Sequence, residues 1–544
     1  MRRDPAALAD REFDLLVVGG GAHGAFAAWD AALRGLRVAL VDRGDFASGT
    51  SSNSLKVAHG GLRYLQTLDL GRMRASAAER STLVRLAPHL VHPLAFVVPT
   101  RGLGTDGAAA FRVGIALTDL VTWDRNAGLA AGSRIPNGRL LSRAEALALF
   151  AAFEPGLSGA ALWYDCQIRH PERLLTGVVE AAADAGAVVA NYVVVRGALD
   201  RDGRVAGASA EDILGGDAFE IRARAILNAA GPWWTDLLPA RGGPASPLLA
   251  RGLNLVIRRR VAECAIGFRS RTPAAQDPVT GGHRYVFLCP WRDCTLLGTS
   301  YTVDSGARAP LRLEEIESLL GEFNAACPAL DLGLDDVAFF HWGFVPLKST
   351  MERGRPTAPL ERPWIVDHAA EGLTGLISVI GPKLTTARRV AEAAVDHVVH
   401  RLGIRTGPAR TRETPLAPPE APPSGAGAGR LIELYGPRAA RVAALAQSRA
   451  DWAEPLAPDT GMIGAEVVHA MRHEAAVRLT DLVFRRSDLG TAGRPPVDAL
   501  TAAARLMATE LGWSPAQERE ELDLVRAAYA PLPEPAAEPR TATR

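Results

Sequence analysis

At 544 residues, the chain is long enough for two or three domains, each with a sizeable core. Its net charge of +1 and its 22% of charged residues exclude the strongly basic composition that is typical of nucleic-acid-binding proteins. None of its apolar stretches reaches the ~20 uncharged residues of a membrane span, and several acids precede the first apolar run, unlike a secretory signal. We therefore expect a cytoplasmic protein without a nucleic-acid partner.

The chain opens with the order strand, glycine turn, helix and strand. The segment FDLLVV (13–18) predicts a short buried strand, AFAAWDAALRGL (25–36) predicts a helix, and RVALVD (37–42) predicts a second strand. Together these elements form one βαβ unit of about thirty residues.

The later parts of the chain change character three times. Between about 245 and 360, short strands separated by Gly, Pro and Asp predict an antiparallel sheet. The segment 405–429 is rich in Pro, Gly and Ala without periodicity, which predicts a linker. The pattern of residues 430–530 predicts helices throughout, with Leu479, Leu482 and Val483 on a buried face.

The five cysteines are odd in number and form no CxxC pair, so we expect reduced thiols and no metal site.

The sequence GGGAHG (19–24) lies between the first predicted strand and helix. Gly19 permits a tight turn, Gly21 lets the backbone approach a pyrophosphate, and Gly24 lets helix and strand pack closely. The phosphates would then contact the free N–H groups of the helix N-terminus. Asp42, at the end of the next strand, is placed to bind ribose hydroxyls. The whole unit predicts a dinucleotide site.

This unit alone does not distinguish FAD from NAD. An NAD enzyme would usually continue with regular βα units, whereas here the polar, glycine-rich segment GTSSNSLKVAHGGLRYL (49–65) follows the second strand. The last predicted strand–turn–helix unit carries GPKLTTAR (381–388) at its helix start, with Pro382 in the first turn. A helix N-terminus aimed at a flavin ring would stabilise the anionic reduced flavin. These features favour FAD.

With these motifs, the chain resembles the FAD-dependent, quinone-linked glycerol-3-phosphate dehydrogenases of aerobic bacteria and mitochondria over residues 12–530. The most specific match is GTSSNSLKVAHGGLRY (49–64). The segments NAAGPW (228–233) and KLTT (383–386) add to it, and residues 467–490 resemble the helical C-terminal cap domain of that family.

The resemblance implies an α/β fold in which a Rossmann-like FAD-binding domain is joined to an antiparallel-sheet substrate domain of the D-amino-acid-oxidase type, followed by an all-α C-terminal cap domain. The expected ranges are 12–95, 150–240 and 362–403 for the FAD-binding domain, 96–149 and 241–361 for the substrate-binding domain, 404–429 for the linker, 430–530 for the cap domain and 531–544 for a disordered tail.

The resemblance also implies oxidation of the secondary alcohol of glycerol 3-phosphate, or of a related small hydroxy compound, to the ketone. Hydride would pass to flavin N5 and electrons to a membrane quinone. The residues implied to face the substrate are His59, Arg63, Tyr64, Lys383 and Arg362. The residues predicted to line the FAD are Gly19, Gly21, Gly24, Asp42, Ser48, Thr50, Ser51, Ser52, Ala230, Gly231, Gly381, Leu384 and Thr385.

The residue types suit these roles. A phosphate dianion needs cations, which Arg63 and Lys383 supply, and alcohol oxidation needs a base for the hydroxyl proton, which His59 supplies. Two simpler interpretations stay open, with His59 as a structural histidine and Tyr64 as a core residue.

Three positions in the presumed substrate pocket depart from the family pattern. Val345 stands where the family has an arginine that grips phosphate, Asn254 where it has a histidine, and Tyr301 where it has an acid. Losing one guanidinium–phosphate contact removes about 1.5–3 kcal/mol of binding. The identity of the substrate is therefore open.

Two other functions stay open as well. One is an FAD-dependent oxidase or dehydrogenase of a non-phosphorylated hydroxy acid or amine, with oxygen as the acceptor, and the cap domain argues against it. The other is a flavin-binding protein with a non-catalytic, partner-binding role, which the intact His59, Arg63 and Lys383 oppose. A quinone acceptor would require peripheral docking on the inner face of the cell membrane. That contact, and a homodimer, are alternatives that the sequence does not decide.

Overall fold

The structure is a computed structural model. It describes residues 1–62, 64, 68–102, 104, 107–153, 156–238, 248–271, 285–304, 308–347, 362–425, 427–458 and 460–533, and the backbone of 351–352 and 355–356. Arg63 and most of the predicted tail, 534–544, lie outside the described residues.

The described part of the chain contains strands and helices whose bounds are as follows. The strands are β1 (Glu12–Phe13), β2 (Leu15–Val18), β3 (Val38–Val41), β4 (Val57–Ala58), β5 (Val91–Thr100), β6 (Arg139–Ser142), β7 (Gly159–Ile168), β8 (Val188–Ala190), β9 (Val193–Arg201), β10 (Arg204–Asp212), β11 (Asp217–Ala223), β12 (Ile226–Asn228), β13 (Leu249–Ile257), β14 (Ala265–Arg269), β15 (Tyr285–Trp291), β16 (Cys294–Asp304), β17 (Val337–Pro346), β18 (Met351–Glu352), β19 (Arg355–Pro356), β20 (Trp364–Asp367) and β21 (Leu376–Ile380). The helices are α1 (Pro5–Asp10), α2 (Ala22–Leu33), α3 (Leu70–Leu86), α4 (Ala108–Val121), α5 (Arg143–Leu149), α6 (Pro171–Asp184), α7 (Leu313–Ala326), α8 (Ala387–Leu402), α9 (Ala428–Tyr435), α10 (Ala439–Ser448), α11 (Ala450–Ala453), α12 (Gly464–His473), α13 (Leu479–Asp481), α14 (Val497–Leu511) and α15 (Pro515–Ala527).

A six-stranded sheet contains the predicted βαβ unit. Its strand order is β20-β21-β12-β2-β3-β8, with all neighbours parallel except the antiparallel edge strand β20. Helix α2 packs against α6 and α8, and its Phe26 and Trp29 are fully buried in the core beside the sheet. Because parallel strands are buried on both faces, the continuous apolar runs of β2 and β3 suit this position.

A nine-stranded sheet forms the second layer of the molecule. Its order is β17-β13-β16-β15-β14-β5-β7-β4, with β6 also paired to β7. All pairs are antiparallel except β14 with β5, which confirms the antiparallel sheet predicted between 245 and 360. Strands β5 and β7 lie outside that range of the sequence. They belong to the same sheet, in which β7 pairs with β5 along its whole length. The domain bounds stay a prediction. A smaller four-stranded sheet has the order β1-β11-β10-β9.

The predicted start of the last helix in the flavin-binding part of the chain was wrong. Helix α8 begins at Ala387 with Thr386 as its N-cap, so Pro382 lies in the preceding turn and outside the first helical turn. The residues Lys383–Thr386 form an irregular turn that lets the chain leave β21 before the helix starts. Val390, Ala394, Val395 and Val398 form the buried face of this helix.

The C-terminal helices pack in part against the nine-stranded sheet, and Leu479, Leu482 and Val483 are fully buried as predicted, in a cluster that also contains Phe96 and Trp291 of that sheet. Asp45, which comes just before the segment 46–52, holds this helical region to the first sheet. Its carboxylate accepts hydrogen bonds from Arg486 Nη1 (2.8 Å) and Nη2 (2.7 Å), and it is also paired with Arg485. Both Asp45 and Arg486 are fully buried, so the two charges depend on each other.

Candidate active site

The glycine turn between β2 and α2 leaves no room for side chains. Gly19 has a φ of +103°, and a Cβ there would lie 2.6 Å from the carbonyl oxygen of Ala229. A Cβ on Gly24 would lie 1.8 Å from the carbonyl oxygen of Gly19. Helix α2 begins at Ala22. Its N-cap residue, Gly21, has no side chain that could accept a hydrogen bond from the first turn. The turn therefore offers backbone N–H groups to an anion, as a pyrophosphate requires.

Asp42 follows β3 directly and closes this turn. Its carboxylate accepts hydrogen bonds from the amides of Gly20 (2.6 Å) and Gly44 (2.9 Å). Burial raises the pKa of Asp42 to about 6, against the two backbone hydrogen bonds, which lower it. The carboxylate is thus held at the end of β3, where an acceptor for ribose hydroxyls is needed.

The segment 46–52 is tied down by its own hydroxyl groups. Ser51 Oγ accepts from the amide of Ala22 at 3.0 Å, and Ser52 Oγ donates to the carbonyl of Ala47 at 2.8 Å. Thr50 Oγ1 donates to the carbonyl of Phe344 in β17 at 2.9 Å, while Ser48 is exposed. The segment therefore joins the glycine turn to the nine-stranded sheet.

The remaining residues predicted to line the FAD lie at the ends of β12 and β21. Ala230 donates to the side chain of Asn228 at 3.3 Å, and Gly231 has a φ of +58°. A Cβ on Gly381 would lie 2.3 Å from Nε2 of His23, which burial keeps neutral by lowering its pKa to about 4. Leu384 and Thr385 follow in the turn before α8. The glycine turn at the start of α2, the carboxylate of Asp42 and the glycine-lined ends of β12 and β21 together fit a flavin dinucleotide.

His59 is positioned by a buried carboxylate. Its Nδ1 lies 3.1 Å from Oδ2 of Asp165 in β7, while its side chain remains 50% exposed. The other oxygen of Asp165 accepts from the amide of Gly60 and from Arg80 Nη1 at 2.9 Å. Burial would raise the pKa of Asp165, but the bonds from His59 and the charge of Arg80 hold it below its usual value. The imidazole is thereby oriented with Nε2 available for a proton transfer.

Cations gather around Tyr64, on the same loop as His59. Lys383 hydrogen-bonds the Tyr64 hydroxyl, and the Arg72 guanidinium lies 4.9 Å from the centre of the Tyr64 ring. Arg72 Nε also pairs with Asp69 at 2.6 Å, and Arg362 lies 3.6 Å from that carboxylate. The structure thus brings Lys383 and Arg72 to Tyr64, and Arg362 to the carboxylate that Arg72 also binds.

Sequence reasoning missed Asp165, Arg80 and Arg72. Asp165 is 106 positions from its partner His59, and nothing in the pattern of β7 separates it from an ordinary strand acid. Arg72 is one of many arginines on a predicted helix. Lys56 is fully buried and pairs with Glu172 at 3.2 Å. Lys56 Nζ also donates a hydrogen bond to the carbonyl of Ser52 and so supports the segment 46–52.

The three departures from the family pattern lie on strands of the nine-stranded sheet. Asn254 is buried in β13, and its Oδ1 accepts from Thr299 Oγ1 at 2.6 Å. Val345 lies in β17, opposite Ala250 of β13, and Tyr301 lies in β16, opposite Gly252 of β13. Asn254 is therefore committed to a contact within the sheet.

One buried trio, Glu180, His469 and Glu474, is the group of possible metal ligands found in the described part of the chain. Glu474 accepts from Arg173 Nη1 at 2.7 Å, and Glu180 lies 3.3 Å from Arg438 Nε. Because both carboxylates are already neutralised by guanidinium groups, we interpret the trio as an ion-pair cluster.

Comparison with known proteins agrees with this geometry. A family model described as FAD dependent oxidoreductase matches residues 14–396, and one described as the C-terminal domain of alpha-glycerophosphate oxidase matches residues 421–518. The fold and the site therefore define an FAD-dependent oxidoreductase.

Similar proteins narrow this class. A glycerol-3-phosphate dehydrogenase of Synechocystis is 33% identical over 541 residues, covering 93% of this chain and 94% of the relative. Glycerol-3-phosphate dehydrogenase 1 of Mycobacterium tuberculosis is 36% identical over 518 residues, covering 90% and 94%. The human mitochondrial glycerol-3-phosphate dehydrogenase is 31% identical over 551 residues, covering 95% and 73%. The chain belongs to the glycerol-3-phosphate dehydrogenase family.

Among solved structures, the glycerol-3-phosphate dehydrogenase from Bacillus halodurans complexed with FAD has a TM-score of 0.73 at 24% identity, covering 96% of this chain and 95% of that chain. This likeness shows the fold. The predicted family, fold class and FAD dependence are confirmed. The individual site residues stay predictions.

Proposed function

We propose that the protein oxidises the secondary alcohol of glycerol 3-phosphate to the ketone. The observation that carries this proposal is the loop 59–64, which places the Asp165-oriented imidazole of His59 a few residues from the cations around Tyr64 and Lys383. Bound FAD would supply the two-electron oxidant that accepts the carbinol hydrogen as hydride. The protein residues would supply the base and the anion-binding groups.

We assign to His59 the removal of the proton from the substrate hydroxyl group. With Nδ1 directed at Asp165, Nε2 is the nitrogen that accepts the hydroxyl proton, and the buried carboxylate stabilises the imidazolium that forms. Arg80 and the Gly60 amide fix the carboxylate in turn, so the whole chain of contacts has a defined orientation. The proton then leaves through the exposed side of the ring.

The phosphate group is assigned to the cations around Tyr64. Lys383 and Arg72 lie against the Tyr64 ring, and Arg72 and Arg362 lie near Asp69, so cationic donors of the kind that bind a phosphate dianion are close together. These cations could take the place of the arginine that the family has at the position of Val345. They also favour a phosphorylated substrate over a neutral hydroxy compound or an amine.

The test is anaerobic titration of the yellow, FAD-loaded protein with glycerol 3-phosphate, followed by flavin absorbance. Bleaching is expected, and Lys383→Met should weaken the apparent affinity about 10- to 100-fold, the loss of one charged hydrogen bond to phosphate. Arg389→Met, which removes an exposed cation from α8, is the matched control and should bind normally. Bleaching by an amine or a neutral alcohol, with none by glycerol 3-phosphate, would contradict the proposal.

We further propose that the electron acceptor is a quinone, which the protein reaches by peripheral contact with a membrane. Helix α4 and the residue after its end expose large apolar side chains: Val113 is 67% exposed, Leu120 69% and Trp123 77%. Val113 and Leu120 are seven residues apart and share one helical face, next to the exposed Arg112. An apolar face with a tryptophan and a nearby cation suits the membrane interface. No helix in the described ranges is long and apolar enough to span a bilayer.

Replacing both Leu120 and Trp123 with serine should abolish co-sedimentation with phospholipid vesicles while flavin reduction in solution stays unchanged. The same measurement on Leu214→Ser, which removes an exposed apolar side chain elsewhere, should show normal vesicle binding. Equal binding by all three proteins would remove α4 from the membrane contact.

A further inference from the structure

A pocket lies between α3, the turn that follows α4, and the segment around Arg412. It encloses about 50 Å³, which is room for a small ion or a few water molecules. Four arginines line it: Arg74, Arg85, Arg125 and Arg412. None of its lining residues belongs to the candidate active site described above.

Only two of these four cations are neutralised within the pocket. Arg74 Nη2 donates to Asp124 at 2.6 Å, and Arg125 Nη2 lies 3.1 Å from Asp119. Arg85 donates instead to neutral oxygens, those of Thr82 Oγ1 (2.9 Å) and the Ala127 carbonyl (3.3 Å).

Neither Arg85 nor Arg412 has a carboxylate within ion-pair distance among the residues that the structure describes. Of the acids near Arg85, Glu79 is already bound by Arg388 at 2.6 and 2.8 Å. Burial, and then the charge of Arg412, lower the pKa of Arg85. Arg85 and Arg412 therefore line the same concave space without a direct carboxylate contact among the described residues, and the charges of Glu413 near Arg85 and of Asp124 near Arg412 act on them only from beyond ion-pair distance.

We propose that this arginine pocket binds a phosphate group, with Arg85 and Arg412 as its principal ligands. Guanidinium groups bind phosphate oxygens through two parallel N–H donors, and two such groups match a dianion in charge and geometry. The phosphate could belong to a phospholipid headgroup or to a soluble phosphate compound.

The surroundings of the pocket bear on the source of the phosphate. Trp123, exposed at the end of α4, lies in sequence between the lining residues Thr122 and Asp124. A headgroup bound at Arg85 and Arg412 would therefore have an apolar side chain close by, at the depth where acyl chains begin.

The first arm of the test measures binding of inorganic phosphate to the FAD-loaded protein by calorimetry. It is done in the Lys383→Met background, which weakens phosphate binding at the active site. Arg85→Gln together with Arg412→Gln should weaken binding at least about ten-fold, as loss of two charged contacts predicts. The control pair, Arg196→Gln with Arg449→Gln, removes two exposed arginines elsewhere and should bind normally. The single variant Arg412→Gln, at an exposed position, keeps the test usable if the pair folds poorly.

The second arm identifies the source by sedimentation with vesicles of phosphatidylcholine, with and without phosphatidic acid, in the otherwise wild-type protein. If the pocket takes a headgroup, the Arg85/Arg412 pair loses only the extra binding that phosphatidic acid gives. If it takes soluble phosphate, calorimetry changes and vesicle binding does not. Unchanged phosphate binding together with unchanged vesicle binding would overturn the proposal, while flavin bleaching by glycerol 3-phosphate is tested separately and does not depend on it.

Discussion

Replacing His59 with alanine is expected to slow reduction of the flavin by glycerol 3-phosphate about 10²–10⁴-fold, the range that a positioned general base contributes. The reason is geometric, since Nδ1 is held by Asp165 and the half-exposed ring presents Nε2 to the site. The loss should fall on the rate of reduction rather than on substrate affinity, because the base acts in the transition state. Stopped-flow reduction under anaerobic conditions separates the two quantities.

Asp165→Asn tests the role of His59 as the base through the residue that positions its ring. It should slow reduction less than His59→Ala, and the two changes together should be far from additive, because both act through one proton transfer. Added imidazole should partly restore His59→Ala and leave Asp165→Asn unaffected. Asp217→Asn, at an exposed position in β11, is the control. A His59→Ala variant with a normal reduction rate would make His59 the structural histidine that the sequence left open.

Replacing Asp45 with alanine is expected to lower the free energy of unfolding by about 3–5 kcal/mol, the effect of removing one partner from a buried ion pair. The change leaves the fully buried Arg486 without its carboxylate and removes one of the contacts of Arg485 and of Asn191. Because Asp45 directly precedes the segment 46–52, the variant should also retain less FAD. Urea unfolding followed by flavin and tryptophan fluorescence measures both effects. Asp200→Ala, an exposed acid in β9, should change stability little.

This contribution should depend on pH in a defined direction. Burial would raise the pKa of Asp45, but Arg486 and Arg485 hold it below its ordinary value in the folded protein. A lowered folded-state pKa means that the stabilisation is present above the unfolded pKa of about 3.9 and is lost as the pH falls through the folded value. The difference between wild type and Asp45→Ala should therefore shrink at acidic pH. A difference no larger than that of Asp200→Ala at pH 7 would contradict the role.

The sequence allowed the cofactor half of the site to be predicted because its signals are local. Gly19, Gly21 and Gly24 act within one turn, and Asp42 follows the next strand at a spacing that the fold fixes. Steric demands of this kind restrict the residue at each position, so the turn and a dinucleotide site were predictable from these residues alone.

The substrate half could be predicted only in part because its contacts are long-range. His59 and Tyr64 were identified through the motif that contains them, but the partner Asp165 and the cation Arg72 come from a strand and a helix with no distinguishing pattern. The start of α8 was misplaced for a related reason. Proline favours the first turn of a helix in general, whereas the path from β21 here delays the helix to Ala387.

Strand β17 meets the segment 46–52 through its backbone alone. A Cβ on Gly343 would lie 2.8 Å from Thr50, and the carbonyl of Phe344 receives the Thr50 hydroxyl, so neither contact depends on a large side chain of β17. The next residue, Val345, takes no part in this junction. We therefore expect that the side chain at 345, the predicted determinant of substrate preference, can be exchanged while the junction between β17 and the segment 46–52 stays in place.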